Sequence, residues 1–196
     1  MIVTADEVTR SLRGAAALLN RRAEGLKAFD FTETGFWRSF GAIVLTIPAY
    51  VVTLALERRR LGLAIPGRSL LDDHDLAALV ALAHVAAFLA LPLAMIWIAR
   101  RLDLHGRYVP FVIVTNWIAV VGLMVLSVPG TLLLIGWATP GLAVLFTVGF
   151  AAIVIRLQWF ATKVTLAVSN GLAAAIVTLG VGLDLAIGAA LRMLAA

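Results

Sequence analysis

The chain has no cysteine, which excludes disulfides and thiolate metal sites and leaves the compartment open. Charge is sparse: Asp, Glu, Lys and Arg together make 14% of 196 residues. Lysine is nearly absent, with Lys27 and Lys163 set against fourteen arginines. In an Ala- and Leu-rich chain this matches a high-GC bacterial coding bias, hence an expected inner membrane. That step is an association rather than physics. Catalytic signatures are missing too. No glycine-rich phosphate loop, GxSxG, HExxH or zinc-spaced cluster occurs, and Gly180-Val181-Gly182 lacks the third glycine of a dinucleotide fingerprint. The expectation is a protein without enzymatic activity, cofactor or resident metal.

What the chain does have is apolar length. Hydrophobic residues make up 62%, and the mean hydropathy is +1.02. A helix needs about 20 apolar residues to cross a hydrocarbon core of about 30 Å. Five stretches qualify, at 36–56, 76–99, 108–127, 142–162 and 171–191. The expected fold is therefore all-α, a polytopic bundle of five transmembrane helices over 36–196. Pro129-Gly130 is read as the stop of the third span, and 129–141 as a broken, partly embedded connection. The fourth and fifth spans meet either at a kink or at a true loop. Pro48 and Pro92 are expected to kink the first two spans.

Residues 1–35 differ in composition. Thr4-Ala5-Asp6-Glu7 has capping-box spacing. Val8, Leu12, Ala15, Leu19 and Leu26 then recur on one helical face, opposite Arg13, Arg21, Arg22, Glu24 and Lys27. This is an amphipathic cytoplasmic segment, lying either on a membrane or partner surface or folded back on the chain's own loops. Five bases (Arg10, Arg13, Arg21, Arg22, Lys27) balance five acids (Asp6, Glu7, Glu24, Asp30, Glu33), so it is not a polybasic anchor. No secretory signal peptide is read here, because the apolar run begins too late.

Lys and Arg mark the cytoplasmic side. With the N-terminus inside, the inner segments carry Arg10, Arg13, Arg21, Arg22, Lys27, Arg38, Arg100, Arg101, Arg107, Arg156 and Lys163. The outer segments carry Arg58, Arg59, Arg60, Arg68 and Arg192. Trp37, Trp97, Tyr108 and Trp159 fall at helix ends on one face, as an interfacial belt does. The expected topology is N-inside, C-outside. The net charge of +5 is met by lipid headgroups, and no nucleic-acid partner is implied.

Intramembrane polar residues are costly and come first as functional candidates. Asp184 lies between Gly180 and Gly188 on one helical face, so a neighbouring helix is expected to approach it closely. His84 sits at a similar depth in the second span, and a His84–Asp184 hydrogen bond between the second and fifth spans is predicted. Such a pair is either a proton relay or a structural tie that fixes helix register. Asn116 and Arg156 form a second candidate pair, against the plain alternative that Arg156 snorkels to headgroups and Asn116 bonds a neighbouring backbone. Asp72-Asp73-His74-Asp75 is read as capping the second helix rather than as a cation site.

The amphipathic start, the approach Gly35-Phe36-Trp37-Arg38-Ser39-Phe40 and the five spans resemble small bacterial membrane proteins whose layout is similar to that of the Yip1-domain family. The resemblance implies a five-span bundle and carries over no functional residue. Two roles follow from the residues: an accessory or scaffold subunit working by helix packing with other membrane subunits, or a small oligomeric permease, proton-linked through Asp184 and His84. The first is the leading expectation. The lipid bilayer is the partner common to both, with a homo-oligomer or a second membrane subunit beside it.

Overall fold

A computed structural model describes residues 4–62 and 73–195 of the chain. Among these residues all regular structure is helical, and five helical stretches are long and apolar enough to cross a membrane. The chain is a multi-pass membrane protein. Arg68 and Asp72 lie outside the described residues.

Helix α1 (Ala5–Leu19) starts where the Thr4 hydroxyl accepts the Glu7 N–H at 3.3 Å. Its buried stripe of Ser11, Gly14, Ala15 and Leu18 packs on the bundle, with Val8, Leu12 and Leu19 flanking it. The amphipathic segment is thus folded back on its own chain. A 3-10 helix (Ala23–Ala28) returns along α1, crossing it at two glycines. A Cβ on Gly25 would stand 2.6 Å from the Gly14 carbonyl oxygen. Before the next helix, Asp30 accepts the Thr32 N–H at 3.1 Å. Hydrogen bonds from the Thr32 side chain, and then from its backbone, hold the Asp30 carboxyl below its ordinary value.

The first span, Glu33–Arg60, is not one continuous α-helix. It comprises α2 (Glu33–Gly41), a 3-10 turn (Ala42–Thr46) and α3 (Ile47–Arg60). Pro48 lies in the first turn of α3, where its missing N–H costs nothing. The change of helix type sits just before it, and the Thr46 hydroxyl donates to the Ile43 carbonyl there at 2.6 Å. In α4 (His74–Arg101), Pro92 lies within the helix and its carbonyl accepts the Tyr108 hydroxyl at 3.2 Å.

The third span corrects the reading of Pro129-Gly130 as a stop. Helix α5 runs from His105 to Leu134, straight through both residues. One proline removes a single hydrogen bond from a 30-residue helix. Gly130 meanwhile lets α3 approach: a Cβ there would stand 2.7 Å from Leu56 Cδ1 and 3.0 Å from Val52 Cγ1. Pro129-Gly130 is a packing station, and the half-embedded connection expected over 129–141 shrinks to the turn between Leu134 and Pro140. Helices α6 (Pro140–Leu166) and α7 (Asn170–Leu194) are separated by a true turn, in which Ala167 is left-handed (φ 48°) and Ser169 caps α7.

Helices α4, α5, α6 and α7 form a ring in which each packs on the next and α7 closes on α4. Helix α3 lies outside the ring against α5 and α4, while α1 and α2 pack on α5 at the N-terminal end. The core follows α5, whose Phe111, Val112, Ile113, Val114, Trp117 and Ile118 are all buried. At the opposite end, Arg58 pairs with Asp73 at 2.9 Å, and Glu57 pairs with Arg60 at 2.5 Å and Arg192 at 3.7 Å. These contacts tie α3 to the start of α4 and the end of α7. Asp73 occupies the α4 cap position but makes no side-chain cap bond, so the capping role read for it is replaced by this ion pair.

Candidate functional site

A cavity of about 280 Å3 lies within the ring. Helix α4 lines it with His84, Ala87, Phe88, Leu91 and Pro92, and α5 with Thr115, Ala119, Gly122, Leu123 and Leu126. Val154 and Gln158 come from α6, and Gly180 and Asp184 from α7. Each set follows a helical period of three to four residues, so one face of every ring helix contributes.

The polar groups sit at two levels. His84 is ten residues from the start of α4 and Asp184 ten from the end of α7, each about 15 Å from the same end of the bundle at 1.5 Å per residue. Thr115 and Gln158 lie about 15 and 12 Å from the other end by the same measure. Apolar side chains separate the levels, and the two are on the order of 10 Å apart.

The hydrogen bonds around Thr46 assign His84 one tautomer. Its Nε2 lies 2.7 Å from Thr46 Oγ1. Thr46 has one hydroxyl hydrogen, and that hydrogen goes to the Ile43 carbonyl. Thr46 therefore accepts, and His84 Nε2 carries the proton. Nδ1 is left with a lone pair and no hydrogen bond among the described residues. Tyr50 packs edge-on against the imidazole at 6.0 Å between centroids.

The predicted His84–Asp184 hydrogen bond does not form. Helices α4 and α7 do pack, and both side chains line the cavity, but Nε2 is committed to Thr46. Asp184 is exposed along the wall, and its carboxylate makes no hydrogen bond or ion pair among the described residues. Of its flanking glycines, Gly180 is at the helix contact, where a Cβ would stand 3.2 Å from Leu91 Cδ2. Gly188 has nothing within 4 Å of such a Cβ, so the close approach expected there is absent within this chain.

Asn116 and Arg156 do not pair either. Asn116 is buried and donates through Nδ2 to Ser39 Oγ at 2.9 Å. Arg156 donates to the Leu19 carbonyl at 3.1 Å, the last residue of α1. Ser39 on α2 and Leu19 at the end of α1 supply their partners instead. Both residues belong to the docking of the N-terminal layer and not to the cavity.

Sequence reasoning missed Thr115 and Gln158, which carry no charge to draw attention. The signal was periodicity: Val154 and Gln158 are one turn apart, and Thr115, Ala119 and Gly122 make a face of small and polar residues. Among the described residues, no group of three His, Asp or Glu is placed to hold a metal ion.

Among the described residues Asp184 is the one carboxylate lining the cavity, no Arg or Lys lines it, and its walls are mostly aliphatic. Such a compartment can bind a solute bearing a polar or positive group and an apolar body. No protein-family model matches the chain, and neither a curated protein nor a solved structure is significantly similar to it.

Proposed function

We propose that this chain is a small membrane carrier whose solute site is the cavity enclosed by α4, α5, α6 and α7. One observation carries the reading. His84, Asp184, Thr115 and Gln158 come from four different helices, yet all line one cavity within a membrane-spanning ring. Ionisable residues in the bilayer are expensive, and a packing scaffold has no use for an unpaired carboxylate beside open volume. Ligand sites between helices of a bundle have this form: mostly apolar walls with a few convergent polar groups. The scaffold reading rested on glycine faces and the amphipathic tail; Gly180 packs on Leu91 within the chain and the tail packs on α5 and α6, while Gly188 stays open.

We further propose a bacterial inner-membrane setting with the N-terminal layer in the cytoplasm, on the arginine asymmetry between the two faces. Trp37 and Trp97, both more than half exposed, support an interfacial belt on that side.

The chain's lack of cysteine makes the test direct. Ala119→Cys and Leu123→Cys place single thiols on the cavity wall, and Leu185→Cys places one on an exposed outer position of α7. In proteoliposomes, a membrane-impermeant maleimide is expected to label positions 119 and 123 from the aqueous phase but not position 185. If neither cavity position reacts from either side of the membrane, no water path reaches the cavity and the carrier reading fails.

A further inference from the structure

The cavity's charge, shape and hydrogen-bonding capacity identify a class of solute. Asp184 brings a carboxylate with no hydrogen-bond or ion-pair partner among the described residues. The nearest cations of α6 are engaged elsewhere: Arg156 on the Leu19 carbonyl, and Lys163 over the Trp159 ring at 5.7 Å. An anion entering here would meet Asp184 with nothing to offset the repulsion. No described residue supplies Asp184 with a counter-charge, and the solute is the natural source of one.

His84 sharpens the choice. Because Thr46 fixes the proton on Nε2, the atom left for a ligand is Nδ1, which accepts a hydrogen bond and does not donate one. At the same level, about 15 Å from one end of the ring, the cavity thus offers a carboxylate and a neutral acceptor. Both suit an N–H donor bearing positive charge.

Size and wall chemistry set the rest. A cavity of about 280 Å3 is roughly twice the 150 Å3 apolar cavity that accommodates benzene. Phe88, Leu91 and Leu123 give it apolar walls between the two polar levels. A hard metal cation demands about six oxygen ligands, whereas one carboxylate stands here, with Thr115 and Gln158 on the order of 10 Å away.

We propose that the ring cavity binds a small organic monocation, an ammonium group on an apolar body of about one aromatic ring, with Asp184 as counter-charge and His84 Nδ1 as hydrogen-bond acceptor. This rests on the carrier reading above, and names the chemistry of its solute.

The experiment uses the full chain in detergent and three ligands of nearly equal size, benzylamine (an ammonium at pH 7), benzyl alcohol and benzoate. Binding is measured by equilibrium dialysis against detergent alone. The expected order is benzylamine, then benzyl alcohol, then benzoate. Asp184→Asn should lower benzylamine affinity roughly tenfold or more, as loss of a charged hydrogen-bond partner does, and leave benzyl alcohol within about twofold. Asp184→Glu should retain the preference for the amine. If Asp184→Asn does not fold, the order on the native chain and Asp184→Glu decide. Equal binding of all three ligands, or a preference for benzoate, overturns the cation assignment while leaving the cysteine-labelling result for the cavity intact. Binding of none of them also overturns it. Amine binding without a water path to positions 119 and 123 would keep the site and remove the carrier.

Discussion

Replacing Thr46 with valine isolates the contact that defines the cavity's histidine. Valine keeps the shape of a fully buried side chain but has no hydroxyl. Two hydrogen bonds vanish, at 2.7 Å to His84 and 2.6 Å to the Ile43 carbonyl. Each is worth about 1 kcal/mol net, and an abandoned buried acceptor costs about 1–3 kcal/mol. The Ile43 carbonyl loses its side-chain donor and keeps only the backbone bonding of the 3-10 turn. The imidazole has an alternative, since moving its proton to Nδ1 lets that nitrogen donate into the cavity. We therefore expect a loss of about 2 kcal/mol, lowering the melting temperature by about 4–8 °C at the scale usual for 150–250 residues. We also expect a switch of His84 from the Nε2–H to the Nδ1–H tautomer. Differential scanning fluorimetry reads the first and 15N NMR of histidine-labelled protein the second, with Thr46→Ser as the variant that retains both bonds. A Thr46→Val protein that melts with the native chain and keeps its proton on Nε2 would refute the assignment of donor and acceptor.

Three other outcomes follow from the N-terminal layer. Gly25→Ala pushes a methyl onto the Gly14 carbonyl at 2.6 Å and should cost about 1–3 kcal/mol, whereas Gly106→Ala meets nothing within 4 Å and should be neutral or stabilising by about 0.5–1 kcal/mol; thermal melts compare them. Arg156→Ala removes a cation from the C-terminal end of α1, worth about 0.3–1 kcal/mol, and should speed hydrogen exchange around Asn20 and Arg21 while leaving that of α7 unchanged. Asp30 has a folded pKa below its ordinary 3.8, so its contribution is complete above that value and disappears as pH falls through the lowered one. Exchange at the Thr32 amide should accordingly rise relative to the α2 amides only below about pH 4, and Asp30→Asn should remove that step.

Hydropathy made the five spans legible because the bilayer demands them whatever the side chains do inside. It failed at Pro129-Gly130, where a rule learned from water-exposed helices met a helix packed against Val52 and Leu56. The cavity was half legible. Asp184 and His84 stand out in apolar runs, and their common depth follows from counting residues. Their bonding partners do not, because Thr46 reaches His84 only through a 3-10 turn that no hydropathy pattern marks. Gln158 and Thr115 were hidden for a different reason: neutral polar residues cost little in a span and are found only by asking which face they share.

The seat of α1 has a consequence for how the protein is made. Leu19 is held by Arg156, 137 residues later in the chain, and Ala15 and Leu18 share a core cluster with Leu157 and Ala161. Helix α1 is made long before α6 and is thus among the last to dock. At about 5–20 residues per second, on the order of ten seconds separate the synthesis of α1 from that of its seat. Until α5 and α6 are made, the adjoining 3-10 helix, crossed at Gly14 and Gly25, is the nearest cover for its apolar stripe. A lesion in that small paired unit, such as Gly25→Ala, should therefore lower the yield of inserted protein as well as the melting temperature of the finished one.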